Sequence, residues 1–190
     1  MGWYYQQFLK YELVLKSKYR YVLVIDGDSF FDFRAKNLRN VVYVTDKNVN
    51  KRYLNFVSGE LCIPALQKNA ITNQMLFDKI LLKSMISFIE FDSCEMNYID
   101  VIHAKIISSK GRFLFSEYQT YASWCVSKRK YPISKIKVFR RIDLLYSLDS
   151  FSVMEALRSY FLVAYEPGHR SGCLRKIRAF IYYKLKLNLG

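Results

Sequence analysis

Apolar side chains recur at Tyr4, Tyr5, Phe8, Leu9, Tyr11, Leu13 and Leu15, a spacing that predicts a packed helix over 3–15. The polar triplet Lys16-Ser17-Lys18 ends it. Tyr21-Val22-Leu23-Val24-Ile25 is then an unbroken, largely β-branched apolar run, too short for a helix. It predicts a strand buried on both faces, as in the middle of a parallel sheet. A helix leading into such a strand is half of an α/β unit. Val41-Val42-Tyr43-Val44 predicts a second strand, followed by a polar connection that runs to Gly59.

The pattern then changes period. Residues 71–77 read as extended, and Asp78 is placed to cap a helix through Ile80, Leu81, Met85, Phe88 and Ile89. A weaker helical pattern covers 98–107. Ser116-Glu117-Tyr118-Gln119 spells a capping box and predicts a helix through Trp124. Short strands are expected at 136–139 and 160–165, and a basic, partly amphipathic helix at 174–189. No internal repeat and no clear linker interrupt this order. The expected organisation is one α/β domain over 1–172 and a basic C-terminal helix over 173–190.

Composition narrows the class. The 190 residues are 52% hydrophobic with only seven Gly and three Pro, which suits a globular domain and not a disordered chain. No stretch approaches the roughly 18 uninterrupted apolar residues of a spanning helix. The N-terminal residues lack the basic-then-apolar order of a secretory signal, so the expected location is the cytoplasm. Cys62, Cys94, Cys125 and Cys173 form no C-x-x-C pair and read as plain buried thiols.

The net charge is +14 and uneven: from Tyr121 onward the chain carries 14 of its 30 Lys and Arg but four acids, Asp143, Asp149, Glu155 and Glu166. Such a field suits an anionic partner, whether membrane, nucleic acid or phosphorylated substrate. No RNA- or DNA-binding spelling accompanies it, so nucleic acid is the weakest of the three. With only His103 and His169 available and no G-x-S-x-G elbow, nucleophilic triads find little support. Phosphate-loop, dinucleotide and H-E-x-x-H spellings are also absent. Carboxylate and divalent-metal chemistry is what remains.

That chemistry points to Asp26-Gly27-Asp28, at the carboxyl end of the apolar run. Ligands of open α/β sheets bind outside the carboxyl ends of strands. Carboxylates two apart can converge on a hard cation, Mg²⁺ or Mn²⁺, where the chain turns. Gly27 between them would let the backbone approach a ligand and take up angles that other residues resist. A plain turn also favours Asp and Gly, so the motif alone leaves both readings open.

Three segments in order carry a resemblance: Gly2-Trp3-Tyr4-Tyr5-Gln6-Gln7-Phe8-Leu9-Lys10, the strand with Asp26-Gly27-Asp28, and Phe115-Ser116-Glu117-Tyr118. Together they resemble a poorly characterised bacterial family of GT-A-like glycosyltransferases associated with polysaccharide biosynthesis, over most of residues 2–124. The resemblance implies a GT-A-like (Rossmann-like) mixed sheet flanked by helices, a nucleotide-sugar donor, a divalent metal and a saccharide or lipid-linked acceptor. Asp26 and Asp28 would be the metal-site residues. Gln6 and Gln7 would lie near the nucleotide pocket, or simply on an exposed helix face.

Glu117 matches an acidic position that often faces the acceptor and could take its proton if transfer inverts. The helix macrodipole alone would also favour it there. His169, in Glu166-Pro167-Gly168-His169, is a candidate third metal ligand or a surface-loop residue. His103 is expected to be packed or exposed without a role.

Two departures qualify what the resemblance implies. Asn73-Gln74 stands where family members often carry histidine. The N-terminal strand–helix half that binds the nucleoside base is expected to be missing, which would make the chain a truncated or non-catalytic binding protein. The basic stretch from Leu174 to Leu187, with five cations and no acid, suits peripheral contact with an anionic inner-membrane face.

Overall fold

Residues 2–16 fold much as their periodicity dictates: helix α1 spans Gly2–Lys16 and buries Gln7, Phe8, Tyr11 and Val14, one stripe at helical spacing. Tyr5, Leu9 and Leu13 face outward, so the apolar residues circle the helix and do not define its inner face. The structure, a computed structural model, describes residues 2–27, 29–31, 40–91, 96–136, 138–141 and 162–165. By its contacts the chain forms two units, Met1–Val24 with Asn37–Lys135, and Ile25–Lys36 with Ile136–Gly190.

Strand β1 (Tyr21–Ile25), which belongs to the first unit except for its last residue, pairs with β4 (Gln74–Asp78), and these two alone make up their sheet among the described residues. Every β1 residue is half-buried, so β1 is not the doubly covered central strand that its apolar run predicted. The deeper burial belongs to β4, where Gln74, Met75, Phe77 and Asp78 are all covered. Strand β3 (Val42–Val44) pairs in parallel with β5 (Ile133–Lys135), Val42 opposite Ile133. A parallel pair needs a crossover, and here most of the unit's helices lie in it.

The polar connection before Gly59 is in fact helical from Lys51 onward. Asn50 caps α2 (Lys51–Asn55) by accepting from Arg52 N–H, and a π-helical turn follows at Phe56–Glu60. Its cations point to solvent while Phe56 and Val57 are buried. The segment is amphipathic over too few residues to show a period.

Local caps place the next three helices. Asp78 accepts from Ile80 N–H at the start of α3 (Lys79–Glu90), which buries Leu81, Leu82, Met85, Ile86 and Ile89 and leaves Ile80 and Phe88 outside. Asn97 caps α4 (Tyr98–Ser108). Ser116 caps α5 (Glu117–Arg129), which ends at Lys130 in the left-handed conformation, φ 51°. From Glu117 through Cys125 every residue of α5 is buried, polar ones included. A helix covered all round must satisfy its polar side chains internally. Gln119 does so: it accepts from Ala70 N–H at 3.0 Å and donates to the carbonyls of Leu66 and Lys68 at 2.8 and 3.1 Å. It therefore holds the loop before β4 and does not complete the capping box.

In the second unit β7 (Leu162–Tyr165) lies between β2 (Ser29–Phe31), antiparallel to it, and β6 (Val138–Arg141), parallel to it. The chain is thus mixed α/β, with small sheets of two and three strands. Residues 173–190, expected as a basic helix, lie outside the described residues.

Candidate functional site

Gln7, Lys10 and Tyr11 occupy one face of α1, and Glu117 opens α5; packing brings these distant segments together. Lys10 Nζ donates to Glu117 Oε1 at 2.6 Å, across 107 positions of sequence. The Gln7 amide, with its nitrogen toward the carboxylate, donates to Glu117 Oε1 at 3.3 Å and also to Oε2. Tyr11 Oη donates to the Glu117 carbonyl at 2.7 Å. A first-turn glutamate usually meets solvent, whereas this one is 1% exposed. The α5 N-terminus and the Lys10 ammonium both favour negative charge there. Lys10 also lies over the Tyr118 ring, 4.3 Å from its centre.

An aromatic wall adjoins this cluster. Burial, then the charge of Glu117, raises the pKa of Tyr53, and the same two causes push that of Tyr11 up further. Tyr53 stacks on Trp3 at 6.4 Å and 19°, and Trp3 meets Tyr4 and Phe113 edge-on at 5.1 and 5.3 Å. Tyr4 Oη accepts from Leu114 N–H at 3.0 Å. Phe113 is held exposed at φ 55°, a strained region for a side chain of this size.

The remaining predicted residues fall as follows. Gln6 is exposed on α1, so of the glutamine pair only Gln7 enters the cluster. Asp26 is half-buried just beyond β1, in a turn closed by Ser29 N–H donating to its carbonyl at 3.0 Å. Gly27 does not use the conformational freedom expected of it: its φ lies outside the left-handed region, and an added Cβ would meet open space. Asp28 and His169 lie outside the described residues, as do Cys94 and Cys173. His103 is exposed on α4, and Cys62 is an exposed free thiol where a buried one was expected; Cys125 is buried.

Among the described residues no three His, Cys, Asp or Glu side chains stand close enough to hold a metal. Of the three expected metal ligands only Asp26 lies among the described residues, and its carboxylate has the hard oxygen chemistry that a divalent cation requires. No helix among the described residues is long and apolar enough to cross a membrane. Lys10 escaped the sequence reading although its three-residue spacing from Gln7 puts both on one helix face. Comparison with protein-family models, curated proteins and solved structures returns no match.

Proposed function

We propose that the chain is a metal-dependent glycosyltransferase of GT-A-like type. It would move a sugar from a nucleotide-sugar donor to a saccharide or lipid-linked acceptor in surface-polysaccharide synthesis. One observation supports this above others: Gln7 of the Gly2–Lys10 motif and Glu117 of Ser116-Glu117-Tyr118 lie in hydrogen-bond contact. Two motifs that define the resemblance therefore share one cluster. A divalent cation, held by Asp26 and Asp28 with His169 as a further candidate, would neutralise charge on the donor diphosphate.

Glu117 would act on the acceptor. Lys10 holds Oε1, and the neutral Gln7 amide meets Oε2. An acceptor hydroxyl reaching Oε2 gives up its proton there while its oxygen bonds to the anomeric carbon and the nucleoside diphosphate departs. The aromatic wall of Trp3, Tyr53 and Phe113 offers stacking surface beside that carboxylate.

Calorimetry with UDP- and GDP-sugars, with and without Mn²⁺, tests the proposal. Metal-dependent binding is expected, lost in Asp28→Asn, while Glu117→Gln still binds donor but transfers no sugar. A folded sample that binds no nucleotide sugar with metal present sinks the enzyme reading.

The near-complete burial of Glu117 favours a second reading, a non-catalytic relative in which the cluster pins α1 to α5 and the protein acts by binding. Loss of stability in Glu117→Gln with no transfer activity in the parent protein supports that alternative.

A further inference from the structure

On the first unit, α3 and α5 flank an open hollow of about 490 Å³ whose lining includes Ser84, Phe88, Phe91, Trp124, Lys128 and Arg129 and, among the described residues, no acid. Phe91, at the end of α3, is 85% exposed. Phe88 and Trp124 pack ring against ring at 5.1 Å. Lys128 Nζ stands over both, 5.4 and 5.3 Å from the ring centres.

We propose that this hollow is a docking site for an anionic lipid bilayer. Charge complementarity selects the occupant: among the described residues two cations and no carboxylate line the hollow, on a chain of net charge +14. The exposed ring then selects a bilayer over a soluble anion. A free phosphate would be held by Lys128 and Arg129 and gives Phe91 nothing to bury. A bilayer takes the ring at the acyl boundary while the ammonium and guanidinium meet headgroup phosphates. Lys128 is already steered by the faces of Phe88 and Trp124, so little of its freedom is lost on contact. The lining residues named here lie outside the basic stretch 174–187 in sequence, and the inference does not depend on the transferase reading.

The test is flotation of the full chain with phosphatidylglycerol and phosphatidylcholine vesicles. Binding to the anionic vesicles alone is expected. Phe91→Ser, a change at an exposed position, should weaken it about tenfold, and Lys128→Glu with Arg129→Glu by at least as much. Phe91→Trp should gain fluorescence quenching by brominated phosphatidylglycerol beyond that of the parent.

Equal binding of parent and Phe91→Ser overturns the proposal, as does equal binding to both vesicle types or to neither. It also fails if glycerol phosphate releases the protein while Phe91→Ser binds as the parent does. The same holds if neutralising Arg175, Lys176 and Arg178 alone abolishes binding. Should the double charge reversal fail to fold, Phe91→Ser decides by itself.

Discussion

Glu117 illustrates how one side chain can answer to several demands. Its carboxylate is 1% exposed, yet Lys10, Gln7 and the helix start all stabilise its charge. Removing one member of such a pair leaves the other buried and uncompensated, which costs about 3 kcal/mol. Lys10→Met and Glu117→Gln should each lower urea-unfolding stability by roughly 2–3 kcal/mol. The double variant should lose clearly less than the sum. Strict additivity would mean that the pair contributes nothing as a pair.

Gly27 offers a sharper contrast between folding and binding. Nothing lies within 4 Å of where its Cβ would be. Gly27→Ala should therefore leave stability unchanged or raise it by about 0.5 kcal/mol through the unfolded chain. If a diphosphate approaches that backbone, the same methyl should weaken donor binding in calorimetry. Donor affinity equal to that of the parent would detach Gly27 from the site.

At the scale of elements, α5 organises the first unit. Besides Glu117 it supplies Gln119, which satisfies three backbone groups between Leu66 and Ala70, and Tyr121, whose hydroxyl accepts from Asp78 N–H at 2.8 Å. Gln119→Leu should strand those groups and cost about 2–4 kcal/mol. Hydrogen exchange should register it first as faster exchange at Ala70, whose N–H donates to Gln119. Unchanged protection there would show that the loop is held by other contacts.

The same helix shows what could be read in advance. Its start was legible because Ser116 is a local capping signal, as was that of α3 because Asp78 precedes it. Helices α1 and α4 were read from apolar spacing, and β1, β3, β4 and β7 from short apolar or extended runs. The burial of α5 was not, since its polar residues are covered by partners more than forty positions away in sequence. Helix α2 was missed because one amphipathic turn carries no measurable period. The ring of apolar residues around α1 likewise hid which side faces inward. In the candidate site, Gln7 and Glu117 were singled out separately. That they touch, with Lys10 between α1 and α5, depends on packing that no local pattern encodes.

Across the molecule, buried tyrosines govern the response to alkali. Burial raises the pKa values of Tyr11, Tyr98 and Tyr121, and pushes the Cys125 thiol from 9.0 up to about 12. Each group holds its proton more tightly folded than unfolded. Their stabilisation is complete below the unfolded values, about 9 for the thiol and about 10 for tyrosine, and is lost as pH rises beyond them. Unfolding followed by circular dichroism should therefore set in above about pH 10. Tyrosinate absorbance should grow in step with it. Ionisation of the buried tyrosines well before loss of structure would contradict the burial of these rings.

The 107 positions that separate Lys10 from Glu117 also carry a temporal meaning. A ribosome adding about 5–20 residues per second makes α1 first and then needs roughly 5–20 s to reach its partner. Throughout that interval Phe8, Tyr11 and Val14, all destined for the interior, have no α5 to cover them. Helix α1 thus stays undocked from α5 for that whole interval. It is then that a chaperone would meet it, and a translational stall before Ser116 would leave a product open to degradation.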